Sequence, residues 1–425
     1  MPVLAHPARH ARHRRRVAPD RGGRGRGEGP RLRPGPGATP RRRRADRGRS
    51  RGHRATCRPA RRRGRGGPRG RLQVRVGRPR GLRDRQPQPR LETDIPQVVL
   101  GLDEGTTGAT AIAVGMDGDI LGKGYAEITQ HYPRPGWVEH DPNEIWAAVQ
   151  QSAREALTAA GASTRDVAAI GITNQRETLV LWDRKTLEPI APAIVWQDRR
   201  TADDCRRLRE AGHEERVREV TGLVLDPYFT ATKLAWALQN VEGAAGAAAG
   251  TVDSWLVARL SAGRDHLTDA SNASRTLLFD LGRGEWSEEM ADVFGVSLAN
   301  LPEVVDSSGV LSTSSGEIVA PIAGVAGDQQ AALFGQACTT EGMAKNTYGT
   351  GSFVLMQTGP RRVASRSGML TTVAWRRAGK LSFALEGAIF VTGAALQWLR
   401  DGLGIIAQAS EAGPIAASVP DSGGV

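Results

Sequence analysis

The segment from Val98 to Gly108 constrains this chain more than any other: an apolar run ending in Asp103-Glu104-Gly105-Thr106-Thr107-Gly108. Val98 to Leu102 reads as a buried strand that carries a carboxylate to its end, and Ala109 to Val114 reads as the strand that returns. Between them Gly and two hydroxyl residues must make a tight turn. Backbone N–H groups and Thr hydroxyls then converge on one concavity, which suits phosphate oxygens. Asp103 at its lip suits Mg2+, which takes one or two carboxylates together with substrate phosphates. A Gly-Thr-Thr turn is also ordinary hairpin chemistry, so the downstream sequence has to decide.

Charge divides the chain. Residues 1–94 carry 31 Arg, no Lys and 6 acidic residues, net +25, whereas the other 331 carry 27 basic and 39 acidic groups, net −12. The leader has runs such as Arg41-Arg42-Arg43-Arg44, abundant Gly and Pro, and few apolar residues. It cannot bury enough surface to offset its own ordering, so disorder is expected. Arg runs neutralise phosphates and admit a nucleic-acid-binding arm, but the leader has no aromatic residue to stack on bases. A transit peptide would need more Ser and an amphipathic helix that Gly and Pro prevent. Arg, Gly, Pro and Ala are residues of GC-rich codons. That composition favours a start assigned upstream of the true one, expected near Asp94–Val98. Cys57, Cys205 and Cys338 lack metal-ligand spacing and fit a reducing compartment. No apolar stretch approaches the roughly 18 to 20 residues of a membrane span, so the expected location is cytoplasmic.

Along the body, Ile120 to Glu127 continues as a strand after the Met116-Asp117-Gly118-Asp119 turn. Asp141-Pro142-Asn143-Glu144 announces a helix with an Asp N-cap, Pro in the first turn and Glu144 closing a capping box, and Gly161 stops it. Val167 to Ile172 is another buried strand, so the order β-β-β-α-β indicates a mixed α/β sheet. Helices are predicted over 202–219, 232–238, 252–260, 286–294 and 390–400, with a second β-rich set over 342–347, 352–356, 370–375 and 381–386. One α/β pattern is followed by the opening of a second.

Four polar clusters fall at strand ends or in loops, where functional groups collect. Asn174-Gln175-Arg176-Glu177-Thr178 follows a buried strand, and its Arg and Glu suit a polyhydroxylated substrate or make a surface ion pair. Trp196-Gln197-Asp198 offers an indole wall for a carbon chain, or a structural Trp. Gly327-Asp328-Gln329-Gln330 places a second strand-end carboxylate suited to a general base or to a helix cap. Asn346-Thr347-Tyr348-Gly349-Thr350-Gly351 repeats the Gly/Thr logic of the first turn. Two such turns and two strand-end Asp residues together point to a nucleotide and Mg2+ held between two domains.

With these residues in place, the chain from about Val98 onward resembles the glycerol kinases of the FGGY carbohydrate-kinase family. The resemblance rests on Tyr132-Pro133-Arg134-Pro135-Gly136-Trp137-Val138-Glu139-His140-Asp141-Pro142, on 174–178, on Asp226-Pro227-Tyr228-Phe229 and on 268–276. It continues through 327–334, 345–351 and Gln397-Trp398-Leu399-Arg400-Asp401. It implies an α/β fold of the actin/hexokinase-like (ribonuclease H-like) ATPase type. Residues 95–337 would be a complete first domain and 338–425 the start of a second, behind the leader 1–94. The implied reaction is ATP-dependent phosphorylation of glycerol, in a plausible homo-oligomer. Arg176, Glu177, Tyr228, Asp328 and Gln329 match glycerol-binding positions, and Trp196 and Phe353 its aromatic walls. Asp328 matches the general base. Glu104, Gly105, Thr106 and Thr107 match the first phosphate loop, Thr350 and Gly351 the second, and Gly393 and Gln397 positions near the nucleotide. Asp103 and Asp328 match the carboxylates that organise Mg2+. A kinase for another polyol or ketose of the same family is the alternative reading, and nucleic-acid binding through the leader the alternative of another class.

Three departures bear on these expectations. Relatives often carry Arg where this chain has Thr110, and a cation lost there weakens charge stabilisation unless a Lys or backbone donor compensates. The 312–319 loop lacks the Gly/Arg-rich stretch with which some members bind a sugar bisphosphate inhibitor. The family also continues past the point where this sequence ends, with the adenine-binding residues and most strands of the second domain. A domain cut there leaves unpaired strand edges and a half-built core, so the polypeptide as written is expected to be poorly stable and inactive.

Overall fold

The computed structural model describes residues 97–349, 351–389 and 391–423. The leader and Thr350 lie outside the described residues, and with them the expectations made there. The opening segment folds as two strands, Val98–Glu104 (β1) and Gly108–Gly115 (β2), paired antiparallel with Asp103 opposite Thr110. Val98, Leu100 and Leu102 are buried on one face, while Asp103 faces the other and stays exposed. The run read as a buried strand is thus buried on one face. Ile120–Glu127 (β3) joins β2, and Val167–Asn174 (β4) pairs parallel with β1. Ser308–Thr313 (β5) and Pro321–Gly327 (β6) complete a six-stranded sheet of order β5-β6-β4-β1-β2-β3. Because β1, β4 and β6 are parallel neighbours, their carboxyl ends lie side by side: Glu104 opposite Asn174, and Asn174 opposite Gly327. Three chemistry-bearing loops therefore leave one edge of the sheet together.

Helix α1, Pro142–Ala160, covers the buried face of the sheet with Ile145, Val149 and Leu157 packed on Leu100, Leu102 and Ile170. Asp141 caps it by accepting from the Asn143 N–H at 2.8 Å, and Gly161 ends it at φ 64°. The expected capping box is not formed. Glu144 accepts instead from the Thr129 N–H at 3.0 Å and the Thr129 hydroxyl at 2.7 Å, a tertiary partner that outcompetes the local one. The helix predicted over 202–219 is two, Ala202–Glu210 (α2) and Glu214–Thr221 (α3), because Gly212 takes φ 88° between them. Thr230–Asn240 (α4) builds a second core with Leu179, Leu223, Leu225, Phe229 and Leu278, and Val252–Leu260 (α5) forms with the predicted bounds.

Asp328–Gly335 (α6) leads from β6 into a four-stranded antiparallel sheet of Ala344–Tyr348 (β7), Ser352–Gly359 (β8), Leu370–Arg377 (β9) and Lys380–Ile389 (β10), in the order β7-β8-β10-β9. The helix expected over 390–400 is a short α-turn, Gly393–Gln397 (α7), that widens to a π-helix over Trp398–Gly402. Cys205 and Cys338 are buried free thiols. Among the described residues no helix is long and apolar enough to cross a membrane.

The fully buried His140, whose Nδ1 lies 3.4 Å from the Gln175 amide, gives a pH prediction. Burial, aided by His131, outweighs the attraction of Glu144 and pushes its imidazole down to about 4. As pH falls from about 6.5 to 4 the unfolded chain takes up a proton that the folded chain refuses, so stability drops across that window, by about 3 kcal/mol when complete. Urea unfolding at pH 7 and pH 4.5 is expected to show this loss, and His140→Gln is expected to remove only its own share, because burial pushes His266 down to about 4 as well.

Candidate active site

The first turn is a two-residue hairpin loop. The Gly105 N–H donates to the Gly108 carbonyl at 3.1 Å, leaving Thr106 and Thr107 at the tip. Neither takes a positive φ, so the loop lacks the backbone twist of the favoured primed hairpin turns. Gly108 is required by close approach, since a Cβ there would sit 2.6 Å from the Ala126 carbonyl oxygen. Asp103 stands at the mouth. Desolvation by its packed surroundings and the charge of Asp328 together push its carboxyl up to about 6. Glu104 points the opposite way, as strand alternation demands. It is fully buried, accepts from the Gln175 amide at 3.0 Å, and leaves Oε2 without a partner. The structure therefore does not bring the Glu104 side chain to the mouth of the turn.

Arg176 and Glu177 are buried, not a surface pair. Glu177 sits at φ 64°, a strained backbone that persists only where its surroundings hold it. Arg176 grips Glu386 with two nitrogens at 2.6 and 3.1 Å and turns its Nε to Asp328 Oδ1 at 3.1 Å. Arg275 completes a buried quartet, donating to Glu177 at 2.7 Å and to Glu386 at 2.9 Å. Burial opposes the charge on Arg176, but Glu386, Glu177, Tyr228 and Asp328 outweigh it and hold the guanidinium well above its usual range. Burial likewise opposes the charge on Glu386, and Arg176 and Arg275 reverse this and hold its carboxyl low.

Neither Arg275 nor Glu386 was picked out as functional by sequence. Each is separated by about a hundred residues or more from the groups it pairs with. The available signals were weak ones: a carboxylate closing an otherwise apolar strand run at 381–386, and Arg275 inside the 268–276 motif.

Trp196 and Tyr228 stand edge to face with ring centroids 5.7 Å apart, and the Tyr228 hydroxyl accepts from Arg176 at 3.3 Å. Beneath them the buried Lys233 ammonium donates to the carbonyls of Glu177, Tyr228 and Phe229 at 3.2, 2.6 and 3.3 Å. It thus ties two candidate alcohol-binding residues to one helix, α4. The loop carrying Trp196 is braced by the Pro-Gly-Trp motif. The Val138 N–H donates to Asp198 at 2.7 Å, and the Arg200 guanidinium lies 3.7 Å from the Trp137 ring centroid and 4.7 Å from that of Trp236.

Asp328 opens α6 with its side chain partly exposed. A Cβ on Gly327 would fall 2.7 Å from the Arg176 side chain, so Gly is what lets Arg176 reach past. Gln329 donates to Asp328 Oδ2 at 2.9 Å and accepts from the buried Lys345, which also donates to Thr347 at 2.7 Å. Burial and then Arg176 outweigh the pull of Asp328 and Glu386 and push the Lys345 ammonium down to about 8. Lys345 is a cation on this side of the site in a chain that has Thr110 beside Asp103.

In the second turn the Gly349 N–H donates to the Gly351 carbonyl at 2.8 Å, and the Gly393 N–H at the start of α7 donates to Gly349 at 3.0 Å. Gly393 is thus brought to that turn, while Gln397 stands exposed one helical turn further on. Phe353 pairs with Ala388, two residues from Glu386, so it shares the face on which Glu386 meets Arg176. A cavity of 440 Å3 lies beside the site rather than at its centre. Asp103, Thr110 and Thr173 line one end, and Ile112, Phe334 and Trp375 the rest.

Among the described residues no three His, Cys, Asp or Glu side chains converge as a metal cage. Two carboxylates close enough for one to raise the other are a donor set that fits a hard divalent cation completed by phosphate and water oxygens.

Residues 98–335 match the FGGY family of carbohydrate kinases, N-terminal domain, and residues 344–423 the C-terminal domain of the same family. A glycerol kinase of Aromatoleum aromaticum is 56% identical over 336 residues, 77% of this chain and 68% of its own length. Glycerol kinase 2 of Thermotoga maritima is 53% identical over the same shares. Among solved structures, Plasmodium falciparum glycerol kinase with ADP is similar with a TM-score of 0.71 and 32% identity, covering 77% of this chain and 67% of that one. The xylulose kinase of Rhodospirillum rubrum shares the fold at a TM-score of 0.68 and 23% identity, over 76% and 67%.

Proposed function

The chain belongs to the FGGY family of carbohydrate kinases, with its actin/hexokinase-like fold, and we propose that its site is built for transfer of the γ-phosphate of ATP to glycerol, giving sn-glycerol 3-phosphate. The observation that carries this reading is Arg176, whose Nε meets Asp328 Oδ1 at 3.1 Å while its Nη2 donates at 3.3 Å to the Tyr228 hydroxyl of the Trp196–Tyr228 ring pair. The substrate of this reading is a short polyol. Its carbon chain lies against the rings and its hydroxyls exchange hydrogen bonds with Arg176, Glu177, Tyr228 and Gln329.

Asp328, the partly exposed carboxylate of the group, accepts the proton of the hydroxyl that attacks phosphorus. Arg176 and Gln329 fix its two oxygens, so the base is oriented before substrate arrives. The turns around Thr106-Thr107 and Thr350-Gly351 hold the phosphates, and a Plasmodium glycerol kinase solved with ADP supports nucleotide binding. Asp103, with Asp328 as second carboxylate, would hold Mg2+, whose chemistry when bound is to neutralise phosphate oxygens.

A coupled ATP-dependent assay across glycerol, xylulose and gluconate, run beside calorimetric binding of each, tests the assignment. Glycerol is expected to bind tightest and to be the alcohol phosphorylated. A preference for xylulose or gluconate would make this a kinase for another substrate of the family.

A further inference from the structure

Trp196 reaches two parts of the site at once. Its ring meets Tyr228, while its indole Nε1–H donates to Thr106 Oγ1 at 2.8 Å, across to the first phosphate turn. Its backbone is pinned as well: the Trp196 N–H donates to the Thr178 hydroxyl at 3.1 Å, and that hydroxyl donates to Gln175 at 2.8 Å. An indole N–H only donates, whereas a Thr hydroxyl has one proton and two lone pairs. With one lone pair of Thr106 committed to the indole, the hydroxyl proton cannot point back at Trp196. It is directed away from the alcohol wall.

We propose that Trp196 is a positioning residue for the phosphate turn: through its bond to Thr106 Oγ1 it orients the Thr106 hydroxyl to donate to a nucleotide phosphate oxygen, so the wall of the alcohol site and the seat of the phosphates are one coupled unit. This rests on the reading of the 105–108 turn as a phosphate seat. Its consequence is thermodynamic. A polyol that packs on the indole stiffens the same bond that orients Thr106, so each substrate should tighten the other, and by the same factor.

The test is calorimetric binding of Mg·ATP and of glycerol, each with and without the other, to the unsubstituted chain, Trp196→Phe, Thr106→Val, Thr106→Ser and the Phe/Val double variant. Phe keeps an apolar ring but removes the donor. Trp196→Phe is expected to weaken Mg·ATP about tenfold, the worth of one oriented hydrogen bond, and glycerol much less. Thr106→Val should show the same loss, Thr106→Ser should recover it, and the double variant should lose no more than either single one. The indole proton resonance of Trp196 is expected to move in Thr106→Val. Additive losses in the double variant, or an unmoved indole resonance, would overturn the coupling while leaving the turn as a phosphate seat. Unchanged Mg·ATP affinity in Thr106→Val, or no Mg·ATP binding by the unsubstituted chain, would overturn the phosphate-seat reading and the coupling with it.

Discussion

Asp328→Asn is expected to lower ATP-dependent phosphorylation of glycerol by about 100- to 10,000-fold, the contribution of a positioned general base. The amide is nearly isosteric but cannot accept the alcohol proton, and it presents an NH2 group or a neutral oxygen to the Arg176 Nε now 3.1 Å from Oδ1. Fold stability should change little, because the Asp328 side chain is partly exposed and such an ion pair is worth at most about 1 kcal/mol. A second effect follows from the same substitution. Asp103 is held up at about 6 first by desolvation and then by the charge of Asp328. Removing that charge should lower the Asp103 carboxyl, measurable by NMR titration. A variant that retains rates within a few-fold of the unsubstituted chain would remove Asp328 from the role of base.

Glu386→Gln is expected to be strongly destabilising, costing about 3–5 kcal/mol, the range for breaking a buried ion pair and stranding its partners. Arg176 and Arg275 would be left buried with Glu177 and the partly exposed Asp328 as their remaining carboxylates. Such a loss is a large share of the about 5–15 kcal/mol that domains possess. The double change Glu386→Leu with Arg275→Met should cost less than Glu386→Gln, since it removes charge of both signs. Urea unfolding of the two variants makes the comparison, and a Glu386→Gln loss below about 1 kcal/mol would mean the quartet is not the keystone that its geometry indicates.

Much of the fold was legible because local signals and tertiary packing agreed. The apolar run into Asp103, the Asp141-Pro142 helix start and the Val252–Leu260 helix are set by near neighbours, and the structure has them where sequence puts them. Where the reading failed, a distant group had won. Glu144 turned from the helix end to Thr129, fifteen residues back. The helix predicted over 202–219 missed the break at Gly212, whose positive φ a helical spacing argument does not register. Apolar residues alone do not show that β1 is buried on one face only, with Gly101 and Asp103 on the face that stays open.

The candidate site divides the same way. Residues at strand ends, such as Asp103, Arg176 and Asp328, announce themselves as polar groups after apolar runs. Arg275, Lys233, Lys345 and Glu386 do not, because each owes its place to partners on another element. Glu104 differs again: the resemblance places it with the phosphate loop, while the two-residue alternation of a strand turns its side chain into the core.

The glycerol assignment rests on Arg176, which joins Asp328 to the hydroxyl of the Trp196–Tyr228 wall. Titration calorimetry of glycerol into the full chain and into Arg176→Leu, with urea unfolding to check that the variant is folded, tests it most directly. The predicted result is one saturable glycerol site in the unsubstituted chain, weakened at least about tenfold by loss of the charge-assisted hydrogen bonds in a folded Arg176→Leu chain. Equal glycerol affinity in the two folded chains, or saturable binding of a five-carbon ketose in place of glycerol, would contradict it.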